Sequence, residues 1–255
     1  MNNWIVPMTF IPRSLFAAAL VVCAGPSALA HDVKTPPNGK VRASFDILEA
    51  RAEAEGNKVT FIMTTRGQAG AETPKKTGKF AGSAVYAYVW PTKVDPEAVG
   101  FEKGAGILAA AVTAHPDFND EPLFENNGAN WHFHWVVLTK DPACGPAGLK
   151  VRDIEAGSKP KLPKTWPGAP ILIDSPGYKP RFASNTVRVT VPFESAEVAA
   201  SVQFDGVTSA LKVNGNLHAP LLCVSDVFKI ASGDLSLPGK AAPAKKADDA
   251  KGDKK

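Results

Sequence analysis

Asn130-Trp131-His132-Phe133-His134-Trp135-Val136-Val137-Leu138-Thr139 alternates aromatic rings with imidazoles and then runs on into aliphatic residues. A period of two is the signature of a β-strand, because successive side chains leave a pleated chain on opposite sides. Trp131, Phe133 and Trp135 therefore share one face, and His132 and His134 share the other, with Cβ atoms roughly 7 Å apart. Three large aromatics on one side call for burial there. The imidazole side is then either a second, polar interior or a site.

Working outward, strand signals recur between turn residues. Leu48, Ala50, Ala52 and Ala54 alternate with Glu49, Arg51, Glu53 and Glu55, Gly56-Asn57 offers a turn, and Val59, Phe61 and Met63 return on one face. This pattern reads as a β-hairpin although Ala and Glu favour helix. Ser83 to Trp90 is a strand with Val85, Ala87 and Val89 opposite Tyr86, Tyr88 and Trp90. Gly106 to Val112 is apolar on both faces and fits a buried strand or a short helix. Residues 141–180 are rich in Pro and Gly and leave room only for short strands near Leu149 to Ile154 and Ile171 to Ile173. Thr186 to Val191 is another strand. Asp205-Gly206 and Asn214-Gly215 resemble hairpin turns around Val207 to Val213. The expectation is a mainly β chain: a single immunoglobulin-like or jelly-roll-like β-sandwich over residues 31–238, with long Pro/Gly-rich loops.

Imidazole is the common neutral nitrogen ligand of zinc and copper. His132 and His134, projecting from one face, can converge on one ion. His115 is the natural third ligand, since it opens an acidic loop that leads back to the same strand, with Asp117, Asp120 and Glu121 beside it to ligate or to orient a ring. His218, between the Asn214-Gly215 turn and Pro220, reads as structural. The expected ion is copper(II) or zinc.

The N-terminus carries Arg13, an apolar run from Leu15 to Cys23, a Gly25-Pro26 break and Ala28-Leu29-Ala30. These are the charged region, apolar region and cleavage site of a secretion signal over residues 1–30. The run is too short to span a bilayer, and lipidation at Cys23, with bulky Val22 before it, ranks second. Cleavage after Ala30 would leave His31 first, with its α-amine and ring able to chelate copper(II) together. That N-terminal histidine resembles the copper brace of lytic polysaccharide monooxygenases and the N-terminal ligand of periplasmic copper carriers. Met63 is the only methionine after residue 30, which disfavours a thioether copper(I) site.

Phe45 to Thr65, with its strand, Gly-Asn turn and strand, resembles the opening hairpin of DOMON and carbohydrate-binding family 9 sandwiches. The resemblance implies haem or sugar binding. Haem would need a His–Met pair, here Met63 with a histidine, and is disfavoured. A sugar would need Tyr86, Tyr88 and Trp90 exposed as a stacking platform, so a carbohydrate or small-ligand module is the alternative to metal binding. No Gly-x-Ser-x-Gly elbow, His-Glu-x-x-His helix or phosphate loop is present, so binding is favoured over catalysis.

The chain has 255 residues and a net charge of +4. Much of the excess lies in a Lys/Ala-rich segment, residues 239–255, that has no large apolar side chain and reads as a disordered tail. The remainder is close to neutral, which argues against nucleic acid. No later stretch is apolar enough to be a transmembrane helix. Cys144 and Cys223 remain after residue 30, and an even pair in a periplasmic or secreted protein implies a disulfide. The expected partner is a metal ion or a small ligand; the sequence leaves the oligomeric state open.

Overall fold

A computed structural model describes residues 31–118, 131–165, 168–215 and 220–244. The secretion signal with Arg13 and Cys23, the acidic residues Asp120 and Glu121, His218, and residues 245–255 of the expected tail lie outside the described residues.

The chain is mainly β. Its strands are β1 (Val33–Lys34), β2 (Ile47–Glu55), β3 (Lys58–Thr65), β4 (Ala84–Pro91), β5 (Ile107–Ala114), β6 (His132–Lys140), β7 (Leu149–Val151), β8 (Ile173–Asp174), β9 (Arg181–Ala183), β10 (Thr186–Pro192), β11 (Gln203–Phe204), β12 (Val207–Val213), β13 (Leu222–Ile230), β14 (Gly239–Lys240) and β15 (Ala242–Pro243). Among the described residues one α-helix, α1 (Ala196–Ser201), precedes β11. Strand periodicity gives no sign of it; Ser195 caps it by accepting a bond from Val198 N–H.

Two layers result. One is an open sheet in the order β1-β2-β3-β10-β9, with β15 also beside β2. The other is closed. β4 pairs with β5, β5 with β6, β6 with β7, β7 with β13, β13 with β12, and β12 returns to β4, every pair antiparallel. This six-stranded barrel differs from the simple sandwich expected from the sequence. Closure follows from two long-range pairings, β4 with β12 and β7 with β13, that strand periodicity does not report. The β7–β13 seam rests on a single residue pair, Cys223 opposite Lys150. The Cys144–Cys223 disulfide, spanning 79 residues of sequence, staples the chain at that seam.

Because the barrel is closed, its strands have an inside and an outside, and the molecule has two interiors. The outer faces of β4, β5 and β6 pack against the open sheet. Tyr88, Trp90, Phe133 and Trp135 meet Phe45, Phe61, Met63 and Val189 there, all buried. The barrel lumen holds a separate cluster of smaller aliphatic side chains, including Val85, Ala87, Ala109, Ala111, Val136 and Leu211. The Gly106–Val112 run is thus a strand with both faces covered: Leu108, Ala110 and Val112 face the interlayer core, Ala109 and Ala111 the lumen. Asp46, buried at the interlayer edge, accepts from Arg66 Nε at 2.7 Å, Lys229 Nζ at 2.6 Å and Asn38 N–H at 2.9 Å. It thereby ties the open sheet to β13.

Two local expectations change. Asp205-Gly206 is no hairpin turn; it carries the chain from β11 into the barrel strand β12. Glycine is required there because a Cβ would lie 2.5 Å from the Ala50 Cβ. The segment from Gly239 to Ala244 is not a free tail. Its backbone pairs with β11 and with β2, and Ala241 is buried. Ladder hydrogen bonds need no large side chain. Gly239 fits because a Cβ would fall 2.7 Å from the Phe204 ring.

Candidate metal centre

Alternation on β5 sends Ala111 and Thr113 into the lumen, and His115 follows in the same phase just past the strand end. The β5–β6 register sets Thr113 opposite His132 and Ala111 opposite His134. All three imidazoles therefore enter the lumen at one end of the barrel. Alanine opposite His134 leaves space for the ring.

The rings meet closely. His132 Nε2 lies 2.8 Å from His115 Nε2 and 2.8 Å from His134 Nε2. One nitrogen from each ring can be chosen so that all lie within 4.8 Å of one another. His115 and His134 are 2 % and 1 % exposed, and His132 is half-buried.

The far side of two rings is held. His115 Nδ1 is 2.9 Å from the Phe118 carbonyl oxygen, and its ring stacks on Phe118 with centroids 4.2 Å apart. A carbonyl only accepts, so Nδ1–H donates, and the neutral ring presents its Nε2 lone pair to the cluster. His134 Nδ1 is 2.9 Å from the hydroxyl of Ser175, which is buried. Hydrogen bonds of this kind fix tautomer and ring orientation in metal sites. Sequence reasoning missed the Phe118 carbonyl and Ser175. Ser175 carries no pattern of its own in a Pro-rich stretch; it enters the lumen only because β8 pairs with β6 next to Trp135 and Val136.

A ring nitrogen that carries no proton offers one lone pair, and a cation at the centre of the cluster can accept one lone pair from each of the three rings. Metal–nitrogen bonds of about 2.0–2.1 Å in a tetrahedral site place ligand nitrogens roughly 3.3 Å apart. The two contacts of 2.8 Å are shorter than that value, and the outer limit of 4.8 Å for the set is longer.

The other predicted residues lie elsewhere. Asp117 faces the 77–79 turn, accepting from Thr77 N–H at 2.7 Å and Gly78 N–H at 2.6 Å. Desolvation pushes its carboxyl up, and the bonds from Gly78 and Thr77 outweigh it, so the group sits below the usual carboxylate range. His31 is exposed and bridges to Lys240 through backbone bonds. The described cluster consists of His115, His132 and His134 alone. Trp90 and Tyr88 have no exposed surface, and Tyr86 is half-buried against Phe45 and Phe228. These rings are spent on interlayer packing and offer no open stacking face. Met63 belongs to that same core, on the far side of the barrel wall from the imidazoles. Asp174, paired with Trp135 across β8 and β6, is buried, and desolvation raises its carboxyl to about 6 despite the Ser175 N–H bond.

Comparison with protein-family models, with curated proteins and with solved structures finds no match in any of the three. No described helix is long and apolar enough to cross a membrane.

Proposed function

We propose that this protein binds one divalent transition metal, zinc or copper(II), through the Nε2 atoms of His115, His132 and His134, and that it does so as an exported protein. The observation that carries the metal reading is the convergence of three imidazoles, with His132 Nε2 at 2.8 Å from each of the other two, and with the Phe118 carbonyl and Ser175 bracing two of the rings from behind. Three neutral nitrogens suit zinc or copper(II) better than calcium or magnesium, which take oxygen ligands. A tetrahedral ion has a fourth position for water or another donor. Export is supported by the N-terminal signal pattern and by the Cys144–Cys223 disulfide, a bond that persists in oxidising compartments. Metal handling outside the cytoplasm fits both.

The test is metal analysis of purified protein after incubation with zinc or copper(II) and desalting. The wild type is expected to retain about one equivalent, and the His132→Ala/His134→Ala variant none, with both chains folded by circular dichroism. An equal, low metal content in both removes the proposal.

A further inference from the structure

The barrel lumen is not filled to its end. A cavity of about 130 Å³ runs along it. A designed apolar cavity of roughly 150 Å³ takes up benzene or xenon, so this space is of benzene size. Among the described residues its walls carry no Asp, Glu, Lys or Arg. Most are aliphatic, and two that face the space, Ala87 and Ala111, are small. The polar side chains of the wall are Thr113, Ser209, His115 and His134. The Thr113 hydroxyl is buried and has no hydrogen-bond partner among the described residues. An unmet buried hydroxyl costs on the order of 1–3 kcal/mol, which a guest with an acceptor atom would recover. Thr113 stands opposite His132 and beside His115 and His134, which form part of the same wall. The lining reaches the surface at Phe80, which is 51 % exposed and packs edge-on against Phe118. The histidine end of the barrel therefore reaches solvent.

We propose that the lumen is a binding chamber for one small neutral organic molecule, with an apolar body of benzene size and one oxygen acceptor that receives the Thr113 hydroxyl. Volume excludes guests much larger than a single six-membered ring. A wall that is mostly aliphatic, has no charged side chain and has few polar ones excludes ions and sugars, most of whose polar groups would be stranded. The chamber rests on the cavity and on Thr113, so it stands apart from metal binding.

The experiment titrates metal-free full-length protein, kept in chelator, with cyclohexanone and separately with cyclohexane, following side-chain methyl resonances of lumen residues by NMR. Saturable shifts of Val85, Val136 and Leu211 methyls with both probes are expected. Ala87→Leu fills the space and should abolish them. Thr113→Val keeps the shape and removes the hydroxyl. It should weaken cyclohexanone by roughly five-fold and leave cyclohexane unchanged. No saturable shift in folded wild type overturns the chamber, and so does wild-type binding by folded Ala87→Leu. Should Ala87→Leu not fold, the near-isosteric Thr113→Val decides: equal effects on both probes overturn the assigned hydrogen bond. A chain that takes up cyclohexanone but no zinc or copper keeps the chamber and loses the metal centre. The reverse result does the opposite.

Discussion

Strand β6 separates two interiors built on different rules. Its outer face, Phe133 and Trp135, enters a core crowded with large rings. Phe133 and Trp135 pack edge to face at 5.2 Å, and Trp135 reaches Phe193 at 5.6 Å. Its inner face, His132, His134 and Val136, enters a lumen of Ala and Val with a cavity and a cluster of imidazoles. A strand only one residue thick thus divides dense packing from open chemistry. Stability is concentrated on one side, and the lumen can carry polar rings and unfilled space because the other side does not depend on it.

The largest expected effect lies on the aromatic side. Trp135→Ala should lower unfolding free energy by up to about 5 kcal/mol, the upper end for deleting a buried aromatic. His134→Ala, one position away, should cost the metal-free protein far less. Chemical denaturation of the two variants without metal checks the contrast, and equal losses would erase the distinction between the interiors. Next comes the barrel seam. Reducing Cys144–Cys223 should destabilise by on the order of 4 kcal/mol, as the chain-entropy model gives for a loop of this size. The loss should be accompanied by faster amide exchange in β7 and β13, where one residue pair joins the strands. Exchange that quickens first in β2 and β3 would place the weak point in the other layer.

The third effect belongs to the lumen alone. Zinc or copper(II) at about a hundred times its dissociation constant should add ~2.7 kcal/mol to stability. His115→Ala, His132→Ala and His134→Ala should each remove most of that gain, and Trp135→Ala, if it remains folded, should keep it. Thermal melts with and without metal measure this directly. Metal stabilisation undiminished in the histidine variants would place the ion elsewhere.

The two faces were not equally legible in the sequence. Alternation around Trp131 to Trp135 assigns each side chain to a face, because a pleat leaves no other choice. His115 falls into line for the same reason, two residues beyond Thr113 on the neighbouring strand. Nothing in the alternation tells that the imidazole side is enclosed. Enclosure depends on β13 meeting β7 across distant stretches of chain, and that pairing is fixed by tertiary packing. The same limit hid Ser175, whose role arises only when β8 docks on β6. It also left the placement of Tyr88 and Trp90 open, since alternation separates them from Val89 without saying which side the second sheet covers. Gly239 to Ala244 failed differently: composition reports what a segment can bury, and these residues are held by backbone pairing.

The smallest effect sits where the two interiors meet. Asp174 pairs with Trp135 in register, and its neighbour Ser175 braces His134. Desolvation lifts the Asp174 carboxyl to about 6 from an ordinary value of 3.8. The folded chain then holds a proton that the unfolded chain releases, so between about pH 4 and 6 the folded state binds more protons. Stability must fall as pH rises through that window, and above it the buried carboxylate is a standing cost. Asp174→Asn removes the ionisation while keeping the shape and an oxygen to accept the Ser175 N–H. At pH 7.5 it should stabilise by about 2 kcal/mol: the rise from 3.8 to about 6 corresponds to an upper limit of about 3 kcal/mol at about 1.4 kcal/mol per tenfold change in acidity, and residual solvation of the carboxylate lowers it. At about pH 4, below the window, the variant and wild type should melt together. Denaturation of both proteins from about pH 4 to 8 tests the sign; a wild type that gains on the variant with rising pH would mean that the Asp174 carboxylate is paired rather than stranded.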